Sequence, residues 1–129
     1  MKNNKINYLH NISTFSLALP MFIFSILLIF GAPPMLDTLR RLGYEAYFAH
    51  MLGGFKFIGS IALIQKKYPR LKEHAYAGFC FDYIAAIVSH INAKDPFFII
   101  LAPIIAICIL TISYLSWSHR VKLTEIFSR

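Results

Sequence analysis

The sequence contains few charged residues: they account for 15% of its 129 residues, whereas 57% are hydrophobic. Soluble domains usually carry about a quarter charged residues, so this composition argues against a soluble globular domain. Residues 14–32 and 97–117 contain no charge at all. At about 1.5 Å per helical residue, each stretch can cross a hydrocarbon core about 30 Å thick. Residues 46–65 and 73–91 form two more stretches of similar length, with a few polar residues.

These four stretches predict an all-α polytopic membrane protein. We expect a four-transmembrane-helix antiparallel bundle with spans at about 14–32, 46–65, 73–91 and 97–117. The loop between the second and third spans is short, which makes those two helices antiparallel neighbours. No internal repeat or long linker divides the chain, so residues 1–129 are expected to form a single domain.

Cysteine and recognised catalytic motifs are also scarce. Cys80 and Cys108 fall inside predicted spans, and are too few and too deep for a disulfide framework. The sequence has no Walker loop, dinucleotide-binding fingerprint, nucleophile elbow or haem motif. It also lacks the H-E-x-x-H pattern of zinc enzymes. We therefore expect neither a metal site nor autonomous catalysis.

Acidic residues are rare, six against thirteen basic residues, and the formal net charge is +7. With four spans, nine basic residues lie on the side of the two termini and three on the other side. The positive-inside rule then predicts that both termini are cytoplasmic. The basic charge indicates topology and contact with anionic lipids, and no nucleic-acid partner is expected. The nine are Lys2, Lys5, Lys66, Lys67, Arg70, Lys72, Arg120, Lys122 and Arg129, and the three are Arg40, Arg41 and Lys94.

Lys2 and Lys5 precede an apolar run, which is also typical of a signal peptide. That run is long for a signal peptide, and the following "FGAPP" lacks a good A-x-A cleavage site. An uncleaved first helix is therefore the favoured interpretation.

A short amphipathic helix is predicted at residues 35–42, after the first span. Four apolar residues share one face of this segment: Met35, Leu36, Leu39 and Leu42. Asp37, Arg40 and Arg41 oppose burial in the membrane, and Gly43 suits the helix end. We expect this helix to lie on the outer membrane surface.

Lys56 is a single charge inside the apolar stretch "MLGGFKFIGSIALI". It lies nine residues from Gln65, and Asp82 lies nine residues from Glu73 on the next span. Both are therefore about 13 Å from the inner boundary, near the middle of the bilayer. Because an unpaired lysine there costs about 3 kcal/mol, we predict a Lys56–Asp82 ion pair. Such a pair serves either to fix the helix register or to form a ligand or proton site, and the sequence leaves both open.

Several other residues accompany this pair as candidates. Gly53, Gly59 and Gly78 are expected to let helices approach closely. His50 and His90 are predicted to form a second polar level near the outer boundary. Both are secondary site candidates, as are Ser89 and Tyr76. Three further histidines are expected to lie in solvent at the interface: His10, His74 and His119. An inner aromatic belt is expected from Tyr68, Tyr76, Tyr114 and Trp117.

The segments "LGYEAYFAHMLGGFKFIGSIALI", "YPRLKEHAYAGFCFDYIAAIVSHI" and "KDP" resemble the DoxX-like family of small bacterial membrane proteins. The resemblance covers residues 42–96, while the first and last spans agree in character only. The Ala85–Ala86 pair departs from a Gly-Ala in the family pattern, which weakens the case for close packing at that point. The matching positions are Leu42, Gly43, Tyr44, Gly53, Lys56, Gly59, Pro69, Leu71, Lys72, Glu73, Ala75 to Phe79, Asp82, Ser89 and His90.

The resemblance implies a four-helix bundle in the bacterial inner membrane, and says less about activity. The wider superfamily includes a subunit of a thiosulfate:quinone oxidoreductase, whereas most DoxX-like members have no assigned reaction. Distant relatives assist the assembly of other membrane proteins. The first hypothesis is therefore an accessory subunit of a quinone-linked redox complex, with quinone as a non-covalent ligand and no covalently bound cofactor.

The second hypothesis is a non-enzymatic assembly or scaffold protein that binds partner helices. The expected partners are the lipid bilayer, other membrane subunits or a second copy of the chain. A proton or small-solute pathway is disfavoured because four helices leave too small a lumen.

Overall fold

The structure, a computed structural model, describes residues 2–128, with side chains from residue 4 onward. This part of the chain contains five α-helices and no strand, so the predicted all-α fold is confirmed. The helices are α1 (Lys2–Ile29), α2 (Pro33–Arg41), α3 (Ala46–Ile64), α4 (Pro69–Asn92) and α5 (Phe97–Phe127).

The four long helices form a ring in which sequence neighbours run antiparallel. α1 packs against α3 and α5, and α4 packs against the other sides of α3 and α5. Within residues 2–128, the two diagonal pairs, α1 with α4 and α3 with α5, have no close backbone approach. The short helix α2 lies against α3 and the end of α1.

Side-chain contacts define two ends of this bundle. At the α2 end, Arg41 contacts Asp95 and Tyr44 contacts Ser89. At the opposite end, called here the His10 end, His10 contacts Ser113 of α5 and Lys72 of α4. The helix α4 therefore runs from one end of the bundle to the other.

Three of the helices are long and apolar enough to cross a membrane: α1 from Asn4, α3 and α5. These three helices support the predicted membrane protein. The helix α4 has 24 residues but is more polar than the other three, so the predicted fourth span stays a prediction.

The bounds of the long helices differ from those of the predicted spans. α1 begins at Lys2, well before the predicted span at 14–32, and ends at Ile29. Gly31 then adopts a φ of 68°, and Pro33 begins α2. α5 contains 31 residues and continues ten residues past the predicted end of its span. Hydropathy marks only the apolar part of a helix, whereas the backbone hydrogen bonds continue into polar sequence.

The short helix predicted at residues 35–42 is present as α2, at Pro33–Arg41. It ends because Gly43 has a φ of 93°, a left-handed conformation that glycine adopts readily. The Gly43 N–H donates to the Arg40 carbonyl, and the Tyr44 N–H donates to the Leu39 carbonyl at 2.9 Å. These bonds satisfy carbonyls that the helix end would leave free.

Gly53 lies where α3 approaches α1 most closely. A Cβ atom at this position would lie 2.9 Å from both the Ile29 nitrogen and the Leu28 Cβ. Gly53 therefore permits close packing, but of α3 on α1 and not on α4. Leu28 and Ile29 lie at the end of α1, so this contact anchors the α2 end of the bundle.

The other two glycines behave differently from each other. A Cβ at Gly59 would lie 3.2 Å from the Phe79 ring, so this glycine does allow α3 and α4 to approach. A Cβ at Gly78 would meet no described atom within 4 Å, and the residue is exposed. Within the described residues Gly78 therefore does not bring α4 against another helix, and its predicted helix-packing role stays a prediction.

Candidate functional site

Lys56 of α3 and Asp82 of α4 form an ion pair with 2.6 Å between Nζ and Oδ2. The two side chains are only 14% and 18% exposed. The structure thus brings together the two residues of the predicted pair. Whether the pair serves function or only helix register stays a prediction.

The lysine retains hydrogen-bonding capacity beyond this pair. Its Nζ also approaches the Met21 sulfur of α1 at 3.8 Å. An ammonium group has three N–H donors, so one donor has no partner among the described residues. A ligand with an acceptor oxygen can therefore bind Lys56 without displacing Asp82.

A groove of about 740 Å³ runs between α3 and α4 and contains this pair. Its volume lies in the range of about 300–1,000 Å³ that is typical of small-ligand sites. Its walls extend along α4 from Leu71 to His90, a length of about 28 Å at 1.5 Å per residue. Most of the lining is apolar or aromatic, including Phe48, Leu52, Phe55, Phe79, Phe81 and Ala85.

Polar groups reach this apolar groove at three levels. His74 lies toward the His10 end, the Lys56–Asp82 pair lies midway, and Ser89 and His90 lie at the α2 end. A long apolar groove with few polar groups fits an amphipathic ligand better than a freely water-soluble one.

A cluster centred on Asp95 stands at the α2 end of the groove. Asp95 lies in the turn between α4 and α5, and contacts Arg41 through Oδ1 and His90 Nδ1 through Oδ2, the latter at 2.6 Å. These two hydrogen bonds hold the pKa of Asp95 below its ordinary 3.8. Nearby, Tyr44 and Ser89 share a hydrogen bond of 2.7 Å between their hydroxyl groups. Sequence reasoning identified His90 and Ser89 but missed Asp95, although the "KDP" segment contains it.

His50 and His90, predicted to form a second polar level, have different hydrogen-bond partners. His50 is exposed, and its Nδ1 donates to the Ile29 carbonyl at 2.9 Å, which caps the end of α1. His90 is engaged by Asp95 instead. No hydrogen bond joins the two histidines within the described residues, and only His90 lines the groove. Within the described residues, no group of three or more His, Cys, Asp or Glu residues could hold a metal ion.

A second polar cluster lies buried at the His10 end and was not predicted. The His10 Nδ1 donates to the Ser113 carbonyl at 3.2 Å, which leaves Nε2 free to accept from Lys72 Nζ at 3.3 Å. The Ser113 hydroxyl in turn contacts the hydroxyls of Thr14 and Tyr76, each at 2.7 Å. All five residues are buried.

This cluster corrects three predictions. His10 was expected in solvent, but it is 4% exposed. Tyr76 was expected in an interfacial aromatic belt, but its ring is buried and its hydroxyl points into the bundle. Lys72 was expected in a loop, but it is 3% exposed in the first turn of α4. The sequence feature that could have predicted this buried cluster is the recurrence of polar residues on one face of α1, at His10, Ser13 and Thr14.

A protein-family model described as the DoxX-like family matches residues 12–113. This range covers 102 of the 129 residues and contains the whole groove. No curated protein matches the chain, and no solved structure matches it.

Proposed function

Because the chain belongs to the DoxX-like family, we propose that it is an accessory subunit of a quinone-linked redox complex in the membrane. In this proposal the subunit catalyses no reaction by itself. Its groove holds the quinone, with the quinone head group beside Lys56 and Asp82.

The observation that carries this proposal is the available N–H donor of Lys56 inside an apolar groove. A quinone has carbonyl oxygens that accept hydrogen bonds and an isoprenoid tail that requires apolar surroundings. The lysine fits the first requirement and the aromatic lining fits the second. Asp82 compensates the positive charge of the lysine, and this pairing offsets part of the cost of burying that charge. A bound quinone would supply the capacity to carry electrons between proteins.

The proposal includes a topology with four spans, although α4 is more polar than a typical span. Two features support α4 as a span. It extends between the two ends of the bundle alongside α3 and α5, and its mid-length charge is paired with Lys56. Pairing lowers the cost that hydropathy assigns to an isolated Asp82. The excess of basic residues near the His10 end supports cytoplasmic termini in an inner membrane. In this proposal α2 lies on the outer surface.

A second candidate function is a scaffold that binds a helix of a partner membrane protein. It is favoured by the small residues that line the groove on both helices: Gly59 and Ala62 of α3, and Ala75, Gly78 and Ala85 of α4. Small residues let a neighbouring helix approach closely. At Gly78, no described atom occupies the space that a partner side chain would fill.

The experiment that tests the proposal is purification in mild detergent, followed by lipid extraction and quantification of quinone per protein. Gly78→Leu adds a bulky side chain to the lining of the groove, at a position where a Cβ atom meets no described atom within 4 Å. Gly54→Leu is its matched control, because a Cβ there also meets nothing within 4 Å and Gly54 does not line the groove.

The proposal predicts a near-stoichiometric quinone content in the unchanged protein and in Gly54→Leu, and a large loss in Gly78→Leu. An absence of quinone in the unchanged protein, or equal content in both variants, would contradict it. A membrane protein that co-purifies without quinone, and is lost only in Gly78→Leu, would favour the scaffold function.

A further inference from the structure

The helix α2 covers the α2 end of the groove but is weakly attached to the rest of the bundle. Met35, Thr38, Leu39 and Leu42 line the groove from this side. No residue of α2 is buried. α2 packs on α3 and the end of α1, and within the described chain its backbone does not approach α4. The groove therefore separates α2 from α4, and side chains alone bridge the gap.

Two glycines with left-handed backbone conformations flank α2. Gly31 precedes it with a φ of 68°, and Gly43 follows it with a φ of 93°. Segments that move as units are usually bounded by a few residues that can absorb large changes in φ and ψ. Glycine has the widest range of such conformations. A Cβ at Gly43 would meet nothing within 4 Å, so the chain has free space at this point.

One ion pair connects α2 across the groove. Arg41, the last residue of α2, contacts Asp95 in the turn that follows α4. Asp95 is only 7% exposed and is fixed on its other oxygen by His90. The neighbouring Arg40 differs, because its ion pair is with Asp37 of the same helix, at 3.7 Å. Arg41 therefore holds α2 to the far side of the groove, and Arg40 does not.

We propose that α2 is a hinged cover over the groove, and that the Arg41–Asp95 pair holds it closed. The ligand of the groove enters or leaves at this end when the pair separates and α2 turns about Gly31 and Gly43. The role of the cover in ligand exchange rests on the proposed function, whereas its opening is a property of the protein alone.

The test measures opening in the absence of ligand, in protein from which bound lipid and quinone have been removed by extensive detergent exchange. In a background with Cys80→Ser and Cys108→Ser, Ala86→Cys places a reporter thiol on the groove wall, one turn before His90. The rate of its modification by a charged, membrane-impermeant thiosulfonate is then measured in detergent-solubilised protein. The rate is compared for the background, for Arg41→Ala and for the matched control Arg40→Ala. Asp95→Asn serves as a second variant that breaks the same pair from its other side.

We expect Arg41→Ala and Asp95→Asn each to raise the modification rate about two- to fivefold, the range that corresponds to loss of one partly exposed ion pair. Arg40→Ala should leave the rate unchanged, although it removes the same charge from the same helix.

Equal rates in all four proteins would overturn the proposal, and so would an equal increase in Arg40→Ala. A reporter that already reacts at the rate of a fully exposed thiol in the background would overturn it as well. Because no quinone is present, a negative result here would leave the quinone proposal standing, and loss of quinone binding would leave this result unaffected.

Discussion

At the scale of single residues, the central feature is a lysine whose charge is paired with an aspartate inside the bundle. Lys56 lies ten residues after the start of α3 and eight before its end, so it is about 12–15 Å from either end. Its partner Asp82 is similarly shielded from solvent. Removing one partner from such a pair leaves a buried charge uncompensated, which costs more than removing both.

A double-mutant cycle tests this coupling. We expect Lys56→Met and Asp82→Leu each to lower the melting temperature in detergent, and the double variant to recover much of the loss. The expected coupling free energy is about 1–3 kcal/mol, as for residues in direct contact. Strictly additive losses would mean that the two charges do not meet in the folded protein.

The buried cluster at the His10 end gives a second residue-scale prediction. His10→Ala removes the nitrogen that accepts from Lys72 and leaves that ammonium group without its partner. Leaving a buried polar group unsatisfied costs about 1–3 kcal/mol, so the melting temperature should fall. His119→Ala is the control, because His119 is exposed and surface changes are usually within about 0.5 kcal/mol. Equal stability of the two variants would show that the His10 contact contributes nothing.

The two polar clusters also show what could be predicted from the sequence at this scale. The Lys56–Asp82 contact could be predicted because depth along two antiparallel helices fixes which residues can meet. His10, Lys72 and Tyr76 were misplaced because polar residues near a span end were assumed to face water. They instead satisfy one another through Ser113, a partner about a hundred residues away from His10 that no local pattern reveals.

At the scale of elements, the closest helix contact is that of α3 on α1. Gly53→Ala would place a methyl group 2.9 Å from backbone and side-chain atoms of α1, neither of which can move easily. We expect a loss of about 1–3 kcal/mol, the usual cost of overpacking. Gly78→Ala is the matched control, and should be neutral or stabilising because alanine favours a helix over glycine by up to about 1 kcal/mol. Melting temperatures of the two variants provide the comparison, and a tolerated Gly53→Ala would contradict the observed packing.

The order and type of the helices followed from hydropathy and helical periodicity, but their bounds and contacts did not. The glycines show why. Gly53, Gly59 and Gly78 look alike in the sequence, yet they face α1, a Phe79 ring and open space, respectively. Which neighbour a helical glycine faces depends on how the helices are arranged around the ring, and one helix alone does not encode this arrangement.

At the scale of the whole molecule, the proposed four-span topology predicts that the C-terminus is cytoplasmic. A C-terminal alkaline phosphatase fusion should be inactive, because this enzyme folds only outside the cytoplasm, and a C-terminal fluorescent-protein fusion should be bright. If α4 did not cross the membrane, α5 would run in the opposite direction and both results would be reversed. The reversed pattern would also remove the assignment of α2 to the outer surface.

The central claim is that the Lys56–Asp82 pair serves ligand binding and not only helix register. The most direct measurement is the affinity of purified Lys56→Met/Asp82→Leu for a short-tailed quinone, determined by equilibrium dialysis beside the unchanged protein. The account predicts a folded double variant with a near-normal melting temperature. Its quinone affinity should be about tenfold lower or more, because a hydrogen bond from a charged donor contributes about 1.5–3 kcal/mol. A folded double variant that binds quinone as tightly as the unchanged protein would contradict the claim.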